Sequence, residues 1–237
     1  SLRLVGSEMC IRDSYRNEAD VGTAIAASGI ARSELFITTK LWNSDQGYES
    51  TLAAFDRSLE KLGLDYVDLY LIHWPKPEHT EGTWLAMEEI QAAGKARAIG
   101  VSNFLVEHLD QLAETAVVMP SINQIEFHPH LQSADLVSYC EDRGIVVEAW
   151  SPLKHGKIIG DPDLAEIAGT RGVTVAQVVL RWMLQRGIVT LPKSITPSRI
   201  AENKDLYDFE LTDAEVATID AMDRADRVGP DPGNFDF

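Results

Sequence analysis

Cysteine is scarce in this chain: Cys10 and Cys140 are the two among 237 residues. A secreted scaffold stapled by disulfides would carry many more, and this pair makes no zinc-ligand spacing. Long apolar runs are missing too, since none approaches the roughly 18 to 20 residues that a membrane helix requires. Basic residues are outnumbered, 21 against 37 acidic, which gives a formal net charge of −16. That balance speaks against a nucleic-acid or anionic-membrane surface and favours a small-molecule ligand. Neither GxGxxG nor the GxxxxGK-S/T pattern occurs, which removes the phosphate loops of doubly wound and P-loop nucleotide folds. The opening SLRLVGSEMCIRDS has no long apolar centre of the secretory type, so cytoplasmic residence is expected.

What is present is a rhythm of short apolar runs ending in residues of catalytic type. LFITTKLW, residues 35–42, reads as a strand that ends in Lys40 and Trp42. A lysine in that setting is costly to bury unless its amine snorkels to water or a pocket uses it. Later runs finish alike: VDLYLIHW in His73 and Trp74, ARAIGVSN in Ser102 and Asn103, SINQIEFH in Gln124 and Glu126. IVVEAWS ends in Trp150 and Ser151, and IVTLPKS in Lys193 and Ser194. Six strands bringing polar residues to one end point to a TIM-type (β/α)8 barrel, whose active site lies at the carboxyl ends of its strands. With 45% hydrophobic residues, the chain can bury a single full core.

Helical patterns fill the intervals. One opens at Asn17 and Glu18 and closes at Gly29; others cover 47–62, 84–93 before Gly94, 106–116, 134–143 and a pair across 163–186. Helices over 196–207 and 212–222 follow, the second with a capping box of Thr212 and Glu215. Residues 1–14 show no period, and fourteen residues are too few for two further strands with their helices. The expectation is a doubtful, non-native leader at 1–14, one barrel domain at 15–225 lacking its first two strands, and a Gly- and Pro-rich surface tail at 226–237. Unpaired sheet edges would then favour association.

Seven motifs carry a resemblance: YRNEADVG, FITTKLWN, VDLYLIHWP, AIGVSNF, INQIEFHP, VEAWSPL and LPKSITPSRIAEN. In this order, across residues 15–222, they resemble the aldo-keto reductase family, especially bacterial members similar to the 2,5-diketo-gluconate reductases. The resemblance implies an NADPH-dependent carbonyl reductase, a monomer in the full-length family form, acting on a small aldehyde, ketone or keto-sugar.

Carbonyl reduction explains why such residue types are wanted. As hydride reaches the carbonyl carbon, charge builds on oxygen and an acid must deliver a proton. By resemblance Tyr15 is that acid, Lys40 lowers its pKa, and His73 bonds the carbonyl oxygen. Ser102, Asn103 and Gln124 would hold the nicotinamide carboxamide, with Trp150 stacking on its ring and Ser151 and Leu153 lining the pyrophosphate path. Lys193, Ser194, Arg199 and Asn203 resemble the clamp for the adenosine 2′-phosphate, which favours NADPH over NADH. Lys157 would close over the cofactor; Trp42 and Trp74 would wall the substrate pocket, and Phe104 is either wall or core.

The family's aspartate, about five residues before the tyrosine, has no counterpart: the nearest acid, Asp13, precedes Tyr15 by two residues. Without that partner Lys40 would help Tyr15 less, and reduced or abolished turnover is expected. Two other readings follow from the same residues. One is a cofactor-binding pseudoenzyme; the other is a metal-dependent hydrolase using His73, Glu126, His128 and His130. Against the second stands Pro129 between the histidines, so no metal site is expected.

Overall fold

The computed structural model describes residues 9–10 and 17–234. The described residues divide into two units, one running to Asn123 and the other from Gln124 onward.

In the first unit, strands β1 (Met9–Cys10), β2 (Ile37–Leu41), β3 (Val67–Ile72) and β4 (Ala96–Ser102) pair in parallel and in chain order. Every residue of β2 and β3 is buried, as expected of parallel strands covered on both faces. Helices α1 (Glu18–Ser28), α2 (Tyr48–Leu62), α3 (Thr80–Ala92) and α4 (Val106–Ala113) alternate with them. On α2 the buried residues Thr51, Ala54, Phe55, Ser58, Leu59 and Leu62 recur at helical spacing, forming one inward stripe. Close packing needs two glycines here. A Cβ at Gly22 would stand 2.5 Å from the Leu62 carbonyl oxygen, and one at Gly100 would stand 2.6 Å from that of Ile122.

Asp68 organises the start of β3. Its carboxylate accepts the Ile37 amide at 2.9 Å and pairs with Arg32 at 2.7 Å and Arg97 at 3.0 Å. Both guanidinium groups also lie over the Tyr66 ring, so charge and cation–π contacts converge there.

The second unit holds the end of β5 (Ile122–Glu126), which crosses the boundary, and the parallel pair β6 (Val146–Trp150) and β7 (Val189–Thr190). Helices α5 (Ala134–Asp142), α6 (Pro162–Arg171), α7 (Val175–Gln185), α8 (Pro197–Lys204) and α9 (Asp213–Asp220) accompany them. Its core includes Phe127 stacked on Trp182 at 5.3 Å, beside buried Val178, Val179, Met183 and Ile219. Side chains cap three helices: Asp161 on α6, and the reciprocal boxes Thr174 with Gln177 on α7 and Thr212 with Glu215 on α9.

Several expected boundaries move. Met9–Cys10 in the leader pairs with Ile37–Thr38, so that segment does share the strand rhythm at one point; two residues are too few to display a period. α3 begins at Thr80 rather than Trp84, with Thr80 and Thr83 buried. Thr83 accepts the Gly47 amide at 2.8 Å, a tertiary bond that offsets burial of its hydroxyl. The strand expected to reach Lys193 and Ser194 ends at Thr190, because Pro192 has no N–H for the ladder. α4 and α8 stop three residues short of their expected ends, at Ala113 and Lys204. Residues 226–229, read as surface tail, are bound down by Glu126 and Lys154.

Candidate active site

In the first unit, polar residues gather where β2, β3 and β4 end. Lys40 lies on β2, paired in register with Leu71 of β3, and only 1% of its surface is exposed. The buried His73 follows β3 directly, its amide donating to the Leu41 carbonyl at 3.2 Å. The Trp42 ring lies 4.9 Å from that of His73, and the Trp74 ring 6.3 Å from it. Gln46 fixes this corner by donating to the Trp74 carbonyl at 2.8 Å. The structure thus brings His73 together with both tryptophans expected beside it. Tyr15 and Asp13 lie outside the described residues.

Ser102 ends β4 and Asn103 follows it, both buried. Asn103 Nδ2 donates to the His73 carbonyl at 2.9 Å and to Ser102 Oγ at 3.1 Å. The backbone at Asn103 is left-handed, φ 63°, a conformation that asparagine tolerates better than most residues. Phe104 is fully buried, edge-on to His108, and so belongs to the core.

The second unit carries the remaining expected positions. Gln124 is buried on β5 and donates from Nε2 to the buried Glu148 carboxylate of β6. That partner was missed because Glu148 lies mid-strand in VVEAW, where a buried acid is unexpected. Trp150 ends β6 half-buried, with Ser151 and Leu153 half-buried after it. Ser151, Lys154 and His155 all adopt positive φ, so this loop departs abruptly from the strand. Lys157 is exposed in it. Lys193 is exposed beyond β7, and Ser194 accepts the Thr196 amide at 3.1 Å. Arg199 and Asn203 stand one turn apart on α8, the first exposed and the second half-buried, and so share a face of that helix.

A network that sequence reasoning did not anticipate surrounds Glu126. Its carboxylate accepts the Val228 amide at 2.7 Å, the Gly229 amide at 2.9 Å and His128 Nε2 at 3.0 Å. Burial pushes this carboxyl up, but the bonds from His128, Val228 and Gly229 outweigh it and hold the pKa below the ordinary value. His130 accepts at Nδ1 from Arg224 at 2.9 Å and Lys154 at 3.3 Å, and burial with those two cations pushes its pKa down. Among the described residues no group of three or more His, Cys, Asp and Glu side chains could hold a metal ion.

Alternating parallel strands and helices, with lysine, histidine, tryptophan and amide side chains where the strands end, are the architecture of an α/β barrel that carries its site at the strand ends. The chain belongs to the aldo-keto reductase family, whose pattern it matches over residues 13–224. It is 53% identical over 223 residues to a glyoxal reductase of Bacillus subtilis (strain 168), covering 94% of this chain and 81% of that protein. An aldo-keto reductase from a Medee basin deep-sea metagenome library superposes with a TM-score of 0.95 at 43% identity, covering 98% of this chain and 86% of that one. A Bombyx mori aldo-keto reductase solved in complex with NADP gives 0.88 at 38% identity, over 94% and 80%. The fold is therefore of the TIM-barrel type, and the family chemistry is nicotinamide-dependent carbonyl reduction. No helix among the described residues is long and apolar enough to cross a membrane.

Proposed function

We propose that this chain reduces small aldehydes or ketones to alcohols with NADPH, using Tyr15, Lys40 and His73. The observation that carries the reading is Lys40: a lysine with 1% exposure at the end of a parallel strand bears a desolvation cost that an ordinary snorkelling side chain avoids. A neighbouring ammonium favours the phenolate, so Lys40 would lower the pKa of Tyr15 and ready it to give up a proton. His73 would donate a hydrogen bond to the substrate oxygen as negative charge builds there. Trp42, in ring contact with His73, and Trp74 would wall the substrate.

Bound NADPH would supply the hydride. The donor set suits that cofactor: Ser102, Asn103 and Gln124 offer donors and acceptors to a carboxamide, and Trp150 offers a flat ring. Ser151 and Leu153 would line the pyrophosphate path, with Lys157 above it. Lys193, Ser194, Arg199 and Asn203 would hold the 2′-phosphate, the lysine as a point charge and the guanidinium as a planar fork. A relative named glyoxal reductase makes small aldehydes the first substrates to try.

The test pairs binding with turnover. Calorimetric titration should show NADPH bound more tightly than NADH, and NADPH oxidation should depend on added aldehyde. Lys40→Met should lower turnover by about 10²- to 10⁴-fold, the usual range for acid–base assistance, while NADPH affinity stays near that of the parent chain. Equal turnover in Lys40→Met would overturn the assigned chemistry.

A further inference from the structure

We propose that Glu126 is a positioning residue for Trp150: with His128 it anchors the turn at residues 226–229 against the indole edge, and so fixes the ring face assigned above to the nicotinamide. The inference rests on that assignment of Trp150.

Three donors converge on one carboxylate that is only 2% exposed. Oε1 takes the Val228 amide and His128 Nε2, and Oε2 takes the Gly229 amide. Two successive backbone amides on the two oxygens of one side chain define both the position and the tilt of the peptide between them. His128 is fully buried, and among the described residues its Nδ1 has no partner. Its bond to Glu126 is therefore the polar contact that side chain makes, and it orients the acceptor. A glutamine at 126 would offer one acceptor oxygen where three donors point, and would add two hydrogens of its own.

Gly229 carries the contact to the ring. A Cβ there would overlap Cη2 of Trp150 and would also stand 3.1 Å from Glu126 Oε2. The backbone itself is thus the surface that meets the indole, and no side chain is admitted. The two strand ends are tied as well, since the Phe127 amide donates to the Trp150 carbonyl at 3.4 Å.

A second tether comes from the loop that follows Trp150. Lys154, buried and in the left-handed region, reaches the Asp226 carboxylate and His130 Nδ1. The amides of Arg224 and Asp226 both donate to the His130 carbonyl, at 3.3 and 2.9 Å. The turn is held from the end of β5 and from the end of β6 together. Releasing it removes support from the one edge of Trp150 that it touches.

The experiment compares the parent chain with Glu126→Gln, Gly229→Ala and Trp150→Ala, and with the double variant Glu126→Gln/Trp150→Ala. Hydrogen exchange read by mass spectrometry should quicken over residues 226–229 in Glu126→Gln while β6 stays protected. NADPH affinity by calorimetry should fall roughly tenfold or more in Glu126→Gln and in Gly229→Ala, as loss of a charge-assisted bond would give. In the Trp150→Ala background, Glu126→Gln should add nothing further. A Glu126→Gln chain that fails to fold leaves Gly229→Ala, whose carboxylate is intact, to decide by the same affinity measurement. Affinities within twofold of the parent chain would overturn the proposal alone, as would a loss that persists without Trp150. A parent chain that binds neither NADPH nor NADH would overturn the cofactor assignment first, and this proposal with it.

Discussion

Burial decides what single residues do here more than their chemical type does. Asp68, buried to 3% exposure, is a structural acid because an amide and two guanidinium groups satisfy it at the amino end of β3. Lys40, more buried still at 1% exposure, stands at the opposite end of the neighbouring strand, where barrel chemistry is found. Gly100 shows the same principle through space rather than charge. The Ile122 carbonyl and the Leu71 side chain lie 2.6 and 2.8 Å from where its Cβ would stand, so Gly100→Ala should destabilise the fold by about 1–3 kcal/mol through overpacking. Denaturant unfolding followed by circular dichroism would read this, and an unchanged midpoint would contradict it. Lys40 was legible because it follows an apolar run. Glu148 and Glu18 were not, because their partners come from elsewhere: Gln124 for the first, Thr39 and Lys61 for the second.

At the level of elements, local signals placed the helices and distant contacts trimmed them. Gly29 and Gly63 sit in left-handed closure positions after α1 and α2, and glycine adopts that conformation without a Cβ penalty. Asn17, where α1 was expected to open, stands at the cap position but makes no side-chain capping bond. The box on α9 formed as read, but Glu215 has a second duty that its spacing did not reveal. It takes two bonds from Arg171 at the end of α6, at 2.9 and 2.5 Å. The Arg171 guanidinium, with further help from Thr212, pulls the Glu215 carboxyl down from 4.5 to about 2. A depressed carboxyl stabilises the folded chain fully above its unfolded value, and that support fades as pH falls through about 2. Thermal midpoints measured from pH 5 to pH 2 should therefore fall less steeply in Glu215→Gln than in the parent chain. Parallel curves would show that the pair carries no pH-dependent stability.

The whole molecule is strongly acidic, with a formal charge of −16 and an isoelectric point near 4.7. Repulsion between copies keeps such a chain dispersed at neutral pH and vanishes where the net charge does. Solubility should pass through a minimum near pH 4.7 and recover on either side; light scattering across that range checks it, and a flat profile would contradict it. The sequence by itself determined the strand–helix alternation, the family and the identities of the strand-end residues. Those depend on periodicity and on short motifs, which are local along the chain. Tertiary structure alone decided that Met9–Cys10 is a strand, since it gains a partner that no two-residue pattern can announce. It also brought residues 226–229 back onto Glu126 across about a hundred positions. A carboxylate and two amides that far apart carry no shared period, and only their burial together obliges them to pair.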